Sequence, residues 1–341
     1  MSTLRAPTRL AAPDLISIED LAPGEVEGLF ELAGLVKARP AEFRSALPGK
    51  QLVLIFEKPS LRTRITFEVA MTSLGGHALF YDQTRAQTGG RLAARLGARE
   101  ALPDIARNLE RWVDAVVLRT FAHQTVVEMA AHAAVPVING LSDREHPCQA
   151  LADYFTLQEK FGELRRLKLA YVGDGNNVAH SLLLTAARLG SSISIATPPG
   201  YEPDAGIVAA ARETAKTTGA HIEVTNDLAA ALRGAQGVYT DVWASMGQEG
   251  EAEARRRVFA GFQVNEKLLG QAAPEAVFLH CLPAHRGEEV TDEVLDSPCS
   301  VVFDQAENRL HVQKAVLLML LSNGRSRKPG ARRGRDRDAR A

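Results

Sequence analysis

The chain has 341 residues, of which 45% are apolar and 24% charged, a length that favours two cores over one and a composition typical of globular domains. Its longest apolar runs, such as AVLLMLL (315–321), are too short to span a bilayer, which argues against a membrane role. Three cysteines without a CxxC pair offer neither a disulfide framework nor a zinc site, and MSTLRAPTRLAAP lacks the apolar stretch of a secretory signal, so a reducing, cytoplasmic setting is expected.

Read in chain order, ten short aliphatic runs are candidate strands: LVLIF (52–56), HALFY (77–81), AVVLR (115–119), VPVI (135–138), LAYVG (169–173), SISIA (192–196), HIEV (221–224), GVYT (237–240), VFLHC (277–281) and SVVF (300–303). Most are followed by apolar residues at helical spacing, such as Ile105, Leu109 and Trp112, or Leu182, Leu183, Ala186 and Leu189, as a helix packed on a sheet requires. Strand alternating with helix implies an α/β fold built on parallel sheets. Residues 83–99, with paired glycines and four arginines, read as a mobile loop. The amphipathic run from Pro147 to Phe161 can carry the chain from one sheet to another, with Leu151, Phe155, Leu157 and Phe161 as its packed face. A last helix, about 306–322, is expected to return and pack on the first half. Net charge is −1, but residues 324–341 hold eight Lys or Arg against two Asp, so this tail is +6 and the rest −7. Such a Gly- and Arg-rich stretch buries no core and is expected to be a disordered end, with nucleic-acid binding as the alternative.

The polar residues cluster where strands end. EKPSLRTR (57–64), Arg119–Thr120, NGLSDREHPCQ (139–149), DGNNVAHS (174–181), DVWASMGQE (241–249), LPAHRGEE (282–289) and DQAENR (304–309) each follow a candidate strand. Ligands in open parallel sheets bind beyond the carboxyl ends of strands, so seven clusters on one edge predict one shared cleft. Ser60, Arg62 and Thr63 stand at a helix start, where hydroxyls, a guanidinium and unpaired backbone N–H groups face an anion together; Arg119 and Arg309 can complete the cage. A lone arginine there is ordinarily a surface ion pair, but the combination favours phosphate. Gly173 and Gly175 suggest a dinucleotide turn, yet Val178 holds the third glycine position and SISIATPP ends without an acidic residue for a ribose. His280 and Cys281 are strand neighbours on opposite faces, which disfavours a nucleophilic pair. His77, His123, His132 and His311 lack metal-ligand spacing, and no metal or cofactor is expected.

FEKPSLRTR (56–64), RTF (119–121), HPCQALAD (146–153), GDGNNVAHS (173–181), DVWASMGQE (241–249), HCLPAHRGEE (280–289) and FDQAENRLH (303–311) together resemble the ornithine carbamoyltransferase family over roughly residues 10–322. The resemblance implies two domains of related topology, each a parallel sheet flanked by helices, with the active site in the cleft between them. It implies a carbamoyl-phosphate domain at 10–147, completed by the helix at 306–322, and an ornithine domain at 148–305, with residues 1–9 and 324–341 as tails. It also implies a trimer, or an assembly of trimers, with active sites at subunit interfaces. Carried onto this sequence, Ser60, Leu61, Arg62, Thr63, Arg119 and Arg309 would hold the phosphate. Arg119, Thr63 and His146 would face the carbonyl oxygen, Gln149 the carbamoyl nitrogen, and Gln87 would reach across from a neighbouring subunit. Asn177, Asp241, Ser245 and Met246 would grip the amino-acid end of ornithine, with Cys281 and the Leu282 carbonyl near its reacting amine. Position 61 is Leu where many members carry Thr, which removes a hydroxyl but keeps the backbone N–H, and the 90–99 stretch is longer than usual.

The chemistry implied is transfer of a carbamoyl group from carbamoyl phosphate to the side-chain amine of ornithine, giving citrulline and phosphate in arginine metabolism. Arg119, His146, Gln149 and Cys281 are the residues expected nearest the reacting atoms. Other acceptors (aspartate, putrescine, an N-acylated ornithine) are the near rivals, and a catalytically silent binding subunit is the rival of another class.

Overall fold

The computed structural model describes residues 9–83, 95–244 and 249–322. Gln87, Ser245, Met246, residues 1–8, most of the 83–99 stretch and the basic tail from 323 onward lie outside them. In the first half, α1 (Glu25–Ala38) precedes β1 (Gln51–Phe56), α2 (Leu61–Ser73), β2 (His77–Asp82), α3 (Leu102–Leu109), β3 (Ala115–Arg119), α4 (His123–His132) and β4 (Val137–Leu141). Helix α5 (Pro147–Phe161) then leads to β5 (Lys168–Val172), α6 (Asn177–Leu189), β6 (Ser192–Ala196), α7 (Ala205–Thr218), β7 (Ile222–Thr225), α8 (Leu228–Leu232) and β8 (Gly237–Thr240). The chain ends with α9 (Ala252–Phe259), α10 (Glu266–Leu269), β9 (Val277–His280), α11 (Asp292–Leu295) and α12 (Val302–Leu321). None of the described helices is long and apolar enough to cross a membrane.

The strands form two wholly parallel sheets, in the order β2-β1-β3-β4 and β7-β6-β5-β8-β9. Parallel strands are covered by helices on both faces, so β1, β3 and β5 read as unbroken aliphatic runs and are buried along nearly their whole length. The edge strand β2 alternates instead: Phe80 turns in to meet Phe56 edge-on at 5.3 Å, while Leu79 and Tyr81 face outward. In each sheet the strand order reverses beside the first strand, between β1 and β3 and between β5 and β8. Loops diverge at such a switch point and leave a crevice, and both crevices open on the same cavity.

Helix α5 joins the two sheets. Pro147 occupies its first turn, where no backbone N–H is needed, and every residue from Pro147 to Leu157 is buried. Helix α12 returns against α1, α2 and α5. One apolar cluster therefore runs from Leu52 and Phe67 through Tyr154 and Leu317 to Tyr171 and Leu279. Smaller clusters fill the outer faces, around Val116 and Met129 in the first sheet and Val238 and Phe278 in the second.

Two sequence expectations change. SVVF (300–303) is not a strand: Ser300 makes one isolated bridge to Phe278, and α12 begins at Val302. A four-residue apolar run does not distinguish strand from buried helix, and here Val302 packs inward while Phe303, 74% exposed, points to solvent. DQAENR therefore lies on the first turns of α12, with Gln305, Asn308 and Arg309 on its buried side. Trp112 falls beyond the end of α3 and is 66% exposed, although Ile105 and Leu109 pack as expected.

The turn that delivers His146 is fixed from within. Glu145, fully buried, accepts the Ile18 backbone N–H at 3.0 Å and the Ser181 hydroxyl at 3.3 Å, tying the N-terminal segment and α6 to the end of β4. Burial pushes its carboxyl up to about 7, against hydrogen bonds from Ser17 and Ile18 that favour the ionised form. The folded chain thus holds a proton that the unfolded chain has released, and stability falls as pH rises from about 4.5 to about 7. Glu145→Gln removes that loss. The melting temperature of this variant relative to the parent is expected to rise between pH 5 and pH 8; a pH-independent offset in calorimetry would contradict the assignment.

Candidate active site

A cavity of about 460 Å³ lies between the two sheets, lined from six strand ends and α12. Ser60 caps α2, its hydroxyl accepting the Thr63 N–H at 3.2 Å, so Leu61 and Arg62 open the helix at the cavity wall. Arg119 closes β3, where a register shift between Leu118 and Arg119 disturbs the pairing with β4. Gly140 permits it, because a Cβ there would lie 3.0 Å from the Leu118 carbonyl oxygen. His146 caps α5 and Gln149 sits one turn in, while Arg309 reaches in from α12.

Among the described residues, Arg62, Arg119 and Arg309 make no ion pair, although Arg119 and Arg309 are 6% and 2% exposed. Arg309 donates to the Gln149 Oε1 and to the Thr63 Oγ1, the latter at 3.1 Å. The Nε atoms of Arg119 and Arg309 and Nδ1 of His146 are buried without a hydrogen-bond partner. Burial, then Arg309 and Arg62, hold the Arg119 guanidinium down to about 9. His146 is pushed well below the usual histidine range by burial and then by Arg309, Arg119 and Arg62, so it is neutral. Buried charge is ordinarily paired, and the three guanidiniums instead line one cavity, an arrangement suited to a multiply charged anion.

The opposite wall is acidic and amide-rich. Asp241, just past β8, accepts from Asn176 Nδ2 at 2.8 Å, from the Val242 N–H at 2.8 Å and from the Cys281 thiol at 3.0 Å. Asn176 also caps α6 through its Oδ1, receiving the N–H groups of Val178 and Ala179. Its neighbour Asn177 lines the cavity and donates to the Ser142 carbonyl at 2.6 Å. Burial and then Asp241 push the Cys281 thiol well above its ordinary range, which keeps it protonated and a poor nucleophile. Leu282 follows with φ of 56° and a cis bond to Pro283. His280 accepts the Leu282 N–H on Nδ1 at 2.8 Å and donates through Nε2 to Glu289 at 3.1 Å, which fixes this turn; one of its ring nitrogens lies within 4.8 Å of the Cys281 sulfur, nearer than strand neighbours on opposite faces would bring them.

Ser60, Leu61, Arg62, Thr63, Arg119, His146, Gln149, Asn177, Asp241, Cys281, Leu282 and Arg309 all line the one cavity; Gln87, Ser245 and Met246 lie outside the described residues. Sequence reading missed the residues behind the wall. Glu57 accepts the backbone N–H groups of Leu96 and Phe121 at 2.7 and 2.8 Å, holding two loops to the end of β1. Asp153 and Gln305 stand behind Gln149. The spacing of Asp153 four residues from Gln149 in a helix was the available signal.

The chain matches two family descriptions: "Aspartate/ornithine carbamoyltransferase, carbamoyl-P binding domain" over residues 13–159, and "Aspartate/ornithine carbamoyltransferase, Asp/Orn binding domain" over residues 165–320. It is 51% identical to the ornithine carbamoyltransferase of Pyrococcus abyssi over 314 residues, covering 92% of this chain and 96% of that protein. With the ornithine carbamoyltransferase of Symbiobacterium thermophilum identity is 53% over 317 residues, covering 92% of this chain and all of the relative. The solved ornithine carbamoyltransferase of Pyrococcus furiosus superimposes with a TM-score of 0.87 at 49% identity, covering 93% of this chain and 100% of that one. The geometry of the cavity and these likenesses agree, and the chain belongs to the aspartate/ornithine carbamoyltransferase family.

Proposed function

We propose that this protein transfers the carbamoyl group of carbamoyl phosphate to the side-chain amine of L-ornithine, giving L-citrulline and phosphate. The observation that carries the reading is the cluster of Arg62 with the buried Arg119 and Arg309, none of them in an ion pair among the described residues, facing the Asp241 carboxylate across one cavity. Ser60, Thr63, Arg62, Arg119, Arg309 and the N–H groups that open α2 hold the phosphate. The neutral amine of ornithine attacks the carbamoyl carbon, charge gathers on its carbonyl oxygen, and the bond to the phosphate oxygen breaks as the nitrogen passes its proton to the departing phosphate. Arg119, Thr63 and the neutral His146 face that oxygen, each such donor contributing about 3 kcal/mol in comparable sites. Gln149 faces the carbamoyl nitrogen. Asp241 pairs with the α-ammonium of ornithine, beside Asn177, and Cys281 with the Leu282 carbonyl lies near the reacting amine; Ser245 and Met246, outside the described residues, are assigned to the amino-acid end of ornithine by the family resemblance alone. Positioning and electrostatics supply the acceleration.

The residues around β1–β4 with α12 serve the carbamoyl-phosphate side and those around β5–β9 the ornithine side. We assign the chain to a homotrimer in the cytoplasm. Leu61, Ile65 and Val69, spaced four apart on α2, are 72, 48 and 44% exposed, and Leu79 and Tyr81 on the edge strand β2 extend the apolar surface. A second copy covering that surface would close the α2 side of the cavity and could supply Gln87. Ile65→Asp is expected to shift the sedimenting species from trimer to monomer; a monomeric parent would overturn the assignment.

Product formation from carbamoyl phosphate with ornithine, aspartate, putrescine and N-acetylornithine in parallel tests the acceptor. Ornithine is expected to be preferred over N-acetylornithine, whose α-nitrogen is an uncharged amide that Asp241 cannot pair with; putrescine keeps that ammonium but lacks the α-carboxylate, and the parallel assay separates it from ornithine. Another preferred acceptor would overturn the ornithine side alone, and no turnover with any would favour a silent subunit. An amine with pKa near ~10.4 is free base in about one molecule per thousand or fewer at neutral pH. Since His146 stays neutral, the same assay should show activity rising toward alkaline pH, and a flat profile from pH 6 to 9 with chemistry rate-limiting would contradict it.

A further inference from the structure

Behind the cavity wall a chain of amides crosses from the second sheet to the arginines. The His280 backbone N–H donates to Gln305 Oε1 at 3.0 Å, and Gln305 Nε2 donates to Asp153 Oδ1 at 2.7 Å. Gln149 Nε2 donates to that same Oδ1 at 2.8 Å, and the Gln149 Oε1 accepts from Arg309. Both ends of this chain are donors only: a backbone N–H at one end and a guanidinium at the other. Each glutamine therefore has its oxygen claimed from outside and must turn its NH2 inward, and the two NH2 groups meet at one point. Only a double acceptor satisfies that meeting point, and any donor there would force one amide to reverse.

We propose that Asp153 is a positioning residue whose carboxyl oxygen fixes the amide polarity of Gln149, so that an oxygen faces Arg309 and the donor side of the cavity. The inference rests on the carbamoyl-transfer reading and adds to it a residue that does not touch substrate. With the amide reversed, Gln149 would present NH2 to a guanidinium, a contact between two donors that would displace Arg309. Asp153, Gln149, Gln305 and Arg309 are all buried, so water does not substitute for the lost acceptor. The requirement is for an oxygen and not for its charge. Burial pushes the carboxyl up to about 7 despite hydrogen bonds from Gln149, Gln305 and Tyr239, and a neutral carbonyl oxygen accepts the same two N–H groups.

Two substitutions at one position separate this role from simple packing. Asp153→Asn keeps an acceptor oxygen and should leave the KM for carbamoyl phosphate within about threefold of the parent. Asp153→Leu keeps the branching at Cγ without an acceptor and should raise that KM about tenfold or more, with the KM for ornithine moving less than about twofold. Should the leucine variant fail to fold by circular dichroism, Asp153→Ser, whose hydroxyl is too short to reach Gln149, takes its place with the same expectation. Equal effects of the asparagine and acceptor-free variants, or equal shifts in both KM values, would overturn the proposal. A parent that does not turn over carbamoyl phosphate and ornithine would instead overturn the reading on which it rests.

Discussion

Three guanidiniums crowd one side of a cavity, and among the described residues none of them makes an ion pair. In a folded protein such an arrangement costs stability, because burial and mutual repulsion both act against the charged forms; Arg119 is held down to about 9 for these reasons. The surrounding structure is organised to tolerate that cost. The α2 N-terminus is oriented by its Ser60 cap, Arg119 is aimed by an irregularity at the end of β3, and Arg309 is carried in on α12, which is buried along most of its length. Under the proposed function an incoming dianion supplies the missing countercharge, which would concentrate binding energy where the reaction needs it.

The opposite wall is held differently. Asp241 receives hydrogen bonds from Asn176, Val242 and Cys281, which keep one carboxylate facing the arginines across the cavity. Because α5 joins the two sheets and α12 packs on α5 while reaching β9, both walls share one apolar core. The Gln305–Asp153–Gln149 chain gives that shared core a polar thread between His280 and Arg309.

Much of this was legible in the sequence, for physical reasons. Buried parallel strands write themselves as continuous aliphatic runs, and nine of the ten proposed runs correspond to strands among the described residues. The polar clusters could be placed on one edge because strands sharing a direction also share an end. SVVF misled because Val301 and Val302 bury an apolar pair at a helix start as readily as a strand would. The supporting residues were not legible from composition or motif. Glu145 and Gln305 act through partners far away in sequence, and Asp153 joins Gln305 to its near neighbour Gln149; only the folded chain brings Ile18 to Glu145 or Gln305 to Asp153.

The central claim is that Arg119 is a buried charge held for an anion and not for the fold. Titration calorimetry of carbamoyl phosphate without ornithine, together with melting curves, on the parent and on Arg119→Met tests it directly. The account predicts one site per chain in the parent, affinity weaker by about tenfold or more in the variant, and unliganded stability unchanged or increased, since an uncompensated buried charge has been removed. Undiminished affinity, or a marked loss of stability in the unliganded variant, would show that Arg119 serves the fold and contradict the account.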